Sequence, residues 1–198
     1  IYWSGRMTGF DLQVLIKRGE EFFVILKRMV PPNTTYFKEV IPPLLDTIKM
    51  SVLGTFIGAL LAIPYAMWSA TNLTRNHWIT SLLKLLLSLI RTLPTLVSAL
   101  ILTYIFGLGT FAGTLAIALF TFSFVTKQLY EAIETADMSP YEAMEALGAN
   151  KLYSFLGAIK PQVLPSYLSV VLYTFEGNVR HAAILGYVGA GGIGIILD

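Results

Sequence analysis

The sequence predicts an all-α fold, a polytopic bundle of membrane-spanning helices, and three observations predict it. Of 198 residues, 55% are hydrophobic and 13% charged, with a mean hydropathy of +0.67. A soluble domain carries about 25% charged residues, so much of this exterior faces something other than water. Long apolar stretches recur at 47–68, 89–106, 111–126 and 163–188. Glycine and proline, rather than long polar loops, punctuate the middle of this series. A soluble bundle with four such helices would need more charge between them.

The first 46 residues read as a segment on the membrane surface. Between 10 and 30, Leu12, Leu15, Ile16, Phe23, Leu26 and Met29 recur at three- and four-residue steps, with Lys17, Arg18, Glu20, Glu21, Lys27 and Arg28 largely between them. That pattern is amphipathic and suits the interface better than the hydrocarbon. Pro31-Pro32 and Pro42-Pro43 are expected to break the helix. The aromatic opening Ile1-Tyr2-Trp3 resembles the place where a helix leaves a bilayer. The expectation is that one span precedes Ile1 and another follows Asp198.

The permease-like region is taken as 47–198, and its spans follow in order. Residues 47–68 hold one charge, Lys49, and at 1.5 Å per residue they cross a core of about 30 Å. Gly54 and Gly58 form a G-x-x-x-G face for close helix packing. The second stretch, 89–106, is entered through 78–88 and is bent at Pro94. Gly107-Leu108-Gly109 makes a tight turn, so the third stretch, short at 111–126, returns as a hairpin. The fourth, 163–188, carries Glu176, Asn178, Arg180 and His181. Arg75, His77, Lys84, Lys127, Lys151 and Lys160 fall around two connections, whereas 107–110 has no charge. The positive-inside tendency places 69–78 and 127–162 in the cytoplasm, with 107–110 and the first 46 residues on the other side.

The 127–162 loop has helix-start and helix-stop chemistry. Ser139 is read as an N-cap, Pro140 as the first helical residue and Glu142 as the closing partner of a capping box. Ala143 to Leu147 continue the helix and Gly148 ends it. Asn150 caps a second short helix, which includes Phe155 and is expected to end near Pro161. Two short helices joined at Gly148 make a compact knob between spans.

Glu142-Ala143-Met144-Glu145-Ala146-Leu147-Gly148-Ala149, followed by Phe155, Pro161 and Pro165, resembles the EAA loop of binding-protein-dependent ABC importer permeases. Met144 stands where alanine is usual. The resemblance implies a type I importer fold in which this loop is a coupling helix docked on a cytoplasmic ATPase. The residues it assigns to coupling are Ser139, Glu142, Ala143, Ala146, Gly148, Ala149, Phe155 and Pro161. No Gly-x-x-x-x-Gly-Lys-Ser/Thr pattern occurs, so ATP and Mg belong to a partner and no cofactor is expected on this chain. One coupling loop per chain and two ATPase subunits make a homodimer the economical assembly. An external substrate-binding protein and membrane lipid complete the expected partners, in a bacterial cytoplasmic membrane.

A narrower resemblance suggests the cargo. Phe175-Glu176, Asn178-Val179-Arg180, Leu185-Gly186 and Val188-Gly189-Ala190-Gly191-Gly192-Ile193-Gly194 are similar to the signature of phosphonate-type importer permeases. Arg91-Thr92-Leu93-Pro94, the 106–113 run and the 29–33 stretch fit the same family. The resemblance covers about residues 10–194 and implies a phosphonate, phosphite or phosphate-like anion as cargo. The alternatives are a methionine or other amino-acid permease of the same superfamily and a non-transporting membrane scaffold.

The charged residues of the fourth stretch admit two readings. Glu176 and Arg180 are four apart and can pair on one helix face, letting both charges sit inside the bundle. Alternatively Arg180, with Glu176, Asn178 and Arg91, lines a translocation path for an anion. The literal G-x-G-x-x-G at 189–194 is not a dinucleotide site, because it follows a membrane helix; a flexible external turn is expected there. Net charge of +2 without a basic stripe argues against nucleic acid. With no cysteine and two isolated histidines, neither a metal site nor a catalytic triad is suggested, and no enzyme activity is expected.

Overall fold

The computed structural model describes residues 19, 21–27, 36–74 and 76–196. Most of the amphipathic 10–30 segment, the 1–3 aromatic cluster, Pro31-Pro32, the 29–33 stretch and Arg75 lie outside them. The chain divides after Lys38 into two compact units. In the first, residues 21–27 are helical and the Phe22 and Phe23 rings meet edge-on, 5.7 Å apart.

The second unit is helical throughout its described length apart from its turns. Helix α1, Phe37–Ser69, is longer than the apolar stretch that announces it. Pro42 and Pro43 lie inside it and do not break it, contrary to expectation. They fall in its second turn, where only the carbonyls of the first few residues lose a partner. At 33 residues the helix is roughly 50 Å long, more than a hydrocarbon core requires.

The 89–106 stretch falls across two helices rather than one continuous helix. Helix α2, His77–Thr92, and helix α3, Thr95–Phe106, meet at an angle of 89°. Leu93 is extended (φ −84°, ψ 122°), the conformation imposed on a residue before proline. Twelve residues of α3 reach only about 18 Å, so α2 and α3 form a broken span or a re-entrant pair.

Helix α4, Thr110–Glu134, overruns the apolar stretch 111–126 by eight residues. Leu129 and Ile133 stay buried and Lys127 pairs with Glu131 at 3.5 Å, so both faces of the helix remain satisfied beyond the apolar run. Helix α5, Ser139–Ala146, and helix α6, Lys151–Ser154, follow. A π-helical turn, Phe155–Ile159, then leads directly into α7, Lys160–Leu185. The second short helix therefore does not stop near Pro161. Pro161 sits in the first turn of α7, where a missing N–H costs little. The π turn carries the chain into it, Lys160 N–H bonding five residues back to Phe155.

Two apolar clusters hold the unit at its ends. One joins Ala66, Ala70, Leu129, Ile133, Tyr141, Phe155, Ile159 and Val163; the other joins Met50, Ala99, Ala116, Ile117, Ala182, Leu185 and Ala190. Between them α1 and α4 touch through glycine. A Cβ at Gly58 would fall within 3 Å of the Ala118 carbonyl and the Phe122 nitrogen, and one at Gly54 would strike Ile117.

The glycine-rich turn after α7 is packed, not loose. Gly191, Gly192 and Gly194 are buried, and Gly186 and Gly194 meet backbone to backbone with no room for a side chain on either. Thr47 Oγ1 accepts the Ile193 N–H at 2.8 Å, and Gly109 N–H donates to the Gly189 carbonyl at 2.9 Å. The turn thus ties α1 and the 107–109 hairpin to the end of α7.

Candidate functional site

Two regions carry the residues singled out from the sequence. The first is the α5–α6 knob. Ser139 is the first helical residue rather than the cap, and no side-chain capping box forms. Asp137 does the capping instead: its Oδ1 accepts the Ser139 N–H at 2.9 Å and the Ser139 hydroxyl at 2.7 Å. Those bonds, the backbone one first, hold the Asp137 carboxyl below its ordinary range. The cap is therefore intact at neutral pH and is lost only as acidification protonates that carboxylate.

Gly148 ends α5 as the sequence indicates. Its φ is +90°, its N–H bonds to the Glu145 carbonyl and Ala149 N–H to Met144, the paired bonds of a Schellman stop. Asn150 caps α6 by accepting the Tyr153 N–H at 2.9 Å. Glu142, Ala143, Ala146 and Gly148 are exposed and Ala149 is half-buried. Leu147 is 89% exposed, on a stop that fixes its position. Phe155 differs from this group: it is buried in the apolar cluster. Pro161 is exposed at the start of α7. The unusual Met144 is accommodated by Gly157, where an added Cβ would lie 3.0 Å from both Met144 Sδ and Cε.

The second region is the broad face of α7. Helical periodicity sorts its residues into two stripes. Thr174, Asn178, Ala182 and Leu185 are buried, whereas Tyr173, Glu176, Arg180 and Ile184 are exposed. Glu176 and Arg180 form an ion pair with side chains about two-thirds exposed (67% and 70%). The pair is thus on the surface of this unit, not inside the bundle. Asn178 points the other way. Its Nδ2 donates to Thr55 Oγ1 at 2.8 Å and to Thr121 Oγ1 at 2.7 Å, and its backbone carbonyl accepts the Ser51 hydroxyl at 3.3 Å. The residue locks α1, α4 and α7 together.

Arg91 and Arg180 open onto neighbouring cavities. One, of about 290 Å³, lies over the α2–α3 break and is lined by Arg91, Pro94, Thr95, Ser98, Ser123 and the Phe120–Phe124 pair. The other, of about 250 Å³, is lined by Tyr173, Thr174, Gly177, Arg180, His181 and the same two phenylalanines. Phe120 and Phe124 stack at 5.9 Å and His181 meets Phe120 edge-on at 5.2 Å. The cavities of Arg91 and Arg180 thus share the Phe120–Phe124 pair in their lining, and Asn178 lines neither.

Sequence reasoning missed that pair, although Phe120 and Phe124 are one helical turn apart. It also missed Glu134, at the end of α4. Glu134 Oε1 accepts from Thr71 N–H, Thr71 Oγ1 and Lys84 Nζ, each at 2.8 Å, and Lys84 also lies over the Tyr130 ring. Fifty and 63 positions separate these partners, so no local pattern announces them.

Relatives are numerous. The chain is 36% identical over 187 residues to the phosphite transport system permease protein PtxC of Stutzerimonas stutzeri, covering 94% of this chain and 68% of that one. It is 32% identical over 184 residues to the phosphate-import permease protein PhnE of Mycolicibacterium smegmatis, covering 93% of this chain and 35% of that one. It therefore spans about a third of one curated relative and two-thirds of the other. Among solved structures, the MetNI methionine ABC transporter in an inward-facing form matches with a TM-score of 0.73 at 18% identity, over 83% of this chain and 81% of that one. An amino acid ABC transporter matches at 0.64 and 24%, over 78% and 74%. Such identities speak to the fold alone. The pattern of the family described as binding-protein-dependent transport system inner membrane component matches residues 54–197, and with these relatives it places the chain in that family.

Proposed function

We propose that the chain is the membrane permease subunit of an ATP-driven importer and forms the path for phosphonate-, phosphite- or phosphate-like anions. In this reading an external binding protein delivers the anion, and two cytoplasmic ATPase subunits drive two copies of the permease in a bacterial cytoplasmic membrane. The observation that carries it is the α5 knob: a short helix held rigid at both ends, with Leu147 89% exposed at its tip. An apolar side chain fixed in that position is suited to fill a pocket on a partner. The relatives' names favour an oxyanion, and the guanidinium groups of Arg91 and Arg180 beside two adjoining cavities fit such a cargo.

The test is Leu147→Asp in the assembled importer. Burying a leucine is worth about 1.5–3 kcal/mol, so the variant should weaken ATPase association by about tenfold or more. Insertion of the chain should be unaffected. Unchanged association and unchanged uptake would overturn the docking role. Uptake of phosphite, methylphosphonate, phosphate and methionine by the same proteoliposomes separates the anion reading from the amino-acid one.

A further inference from the structure

Besides the run of α6 into α7 and an Asn72 Nδ2 bond to Met138 Sδ at 3.3 Å, the knob is fastened to the bundle in two ways. Apolar contact is one: Tyr141 sits in the cluster with Phe155, Ile159 and Val163. The other fastening is polar and centres on Gln162, in the first turn of α7. Its Oε1 accepts the Asp137 N–H at 3.0 Å, and its Nε2 donates to the Asp137 carbonyl at 3.0 Å and to the Ala158 carbonyl at 2.9 Å. One side-chain amide thus grips both backbone groups of one residue, 25 positions away in sequence. That residue is Asp137, whose carboxylate caps α5 through Ser139.

Satisfying the Asp137 backbone does not require this arrangement. Asp137 is exposed, and water would serve its N–H and carbonyl nearly as well. What a double contact adds is geometry, because two antiparallel bonds from a planar amide fix orientation as well as distance. Apolar packing at Tyr141 is less directional and tolerates sliding. Gln162 stands on the helix that carries Asn178 and Arg180, whereas Asp137 stands at the entrance to α5.

We infer that Gln162 is the positioning residue of the coupling step: its amide ties the cap of α5 to the first turn of α7, so that a displacement of α5 moves α7. The inference rests on the importer reading above. Without the clasp, α5 still docks on the ATPase, but its movement is taken up at the Gly148 joint and in the 135–138 connection.

The experiment compares wild type, Gln162→Met and Gln162→Glu as complete importers in proteoliposomes, with phosphite as the cargo probe. Methionine keeps the length and removes both polar groups. Glutamate keeps the acceptor for Asp137 N–H and sets a carboxylate against two carbonyls. Three quantities are read: assembled complex, ATP hydrolysis stimulated by the binding protein, and phosphite imported per ATP. Assembly and hydrolysis should stay within about twofold of wild type, while import per ATP falls by about fivefold or more in both variants, the scale of one hydrogen bond's net worth. A merely structural role would lower assembly, hydrolysis and import together and leave the ratio unchanged, and that result overturns the inference. So does failure of both variants to assemble, which would make Gln162 a folding determinant. A wild-type complex that neither hydrolyses ATP in response to its binding protein nor imports phosphite or another cargo overturns the importer reading itself, and the clasp's role with it.

Discussion

Asn178 and Arg180 stand two positions apart on α7, about 200° round the helix, and their environments are opposite. Asn178 is fully buried and donates to hydroxyls of two other helices, whereas Arg180 is exposed and pairs with Glu176 on its own helix. An exposed i,i+4 pair contributes little to stability, so the pair is a poor candidate for a folding determinant. Replacing both charges, Arg180→Met with Glu176→Met, should leave the assembled complex and its stimulated ATP hydrolysis near wild type. If Arg180 meets the cargo, uptake of phosphite normalised to assembled complex should fall by about tenfold, the scale of one charge-assisted contact. Wild-type uptake by the double variant would refute the cargo role. The i,i+4 spacing of this pair is visible in the sequence, but which stripe faces the neighbouring helices depends on where α1 and α4 lie.

At the scale of elements, small residues decide how closely helices approach, and one proline, Pro94, marks a break between two of them. Gly58 has no space for a side chain, since backbone atoms of α4 occupy the place of its Cβ. Gly177, on α7, has open space at the same point. Gly58→Val should therefore cost about 1–3 kcal/mol or more through overpacking, lowering the thermal midpoint of the detergent-solubilised chain by several degrees. Gly177→Ala should leave that midpoint unchanged or raise it, because alanine is the better helix former. Equal midpoints for the two variants would remove the close α1–α4 contact as a source of stability. Proline acts less uniformly. Pro42 and Pro43 are absorbed in an early turn of α1, while Pro94 turns the chain through 89° between α2 and α3. Position alone does not separate them, since Pro64 and Pro165 also lie inside α1 and α7; what marks the break is Leu93 before Pro94, which is driven out of the helical region in the middle of an apolar run.

At the scale of the whole molecule, the arrangement of helices carries a topological consequence. The α5–α6 knob and the 70–76 connection lie at the same end of the second unit, since Thr71 and Asn72 bond to Glu134 and Ile133 just before the knob. The 107–109 hairpin lies at the other end, against Gly189. Single cysteines at Asn76 and Asn150 should therefore react with an impermeant maleimide from one side of the membrane, and one at Thr110 from the opposite side. The chain has no native cysteine to confuse the result. Labelling of positions 110 and 150 from the same side would overturn this topology.

The sequence alone determined the all-helical membrane class, the glycine stop at Gly148, the Asn150 cap and the pairing of Glu176 with Arg180, because each depends on residues within about one helical turn or on composition. It misassigned the cap of α5 to Ser139, since Asp137 and Ser139 are both good acceptors and only the path of the chain shows which one faces the free N–H. It placed a bend at Pro94 but not a turn of 89° between two separate helices, because hydropathy registers apolar length and not direction. Only the tertiary structure decided the buried role of Asn178, the Phe120–Phe124 pair shared by the cavities of Arg91 and Arg180, the triple contact at Glu134 and the grip of Gln162 on Asp137. Each of these joins groups 25 or more positions apart, or depends on which stripe of a helix is covered. Helix periodicity limits which residues can share a face, and packing against the other helices then selects the face that is buried.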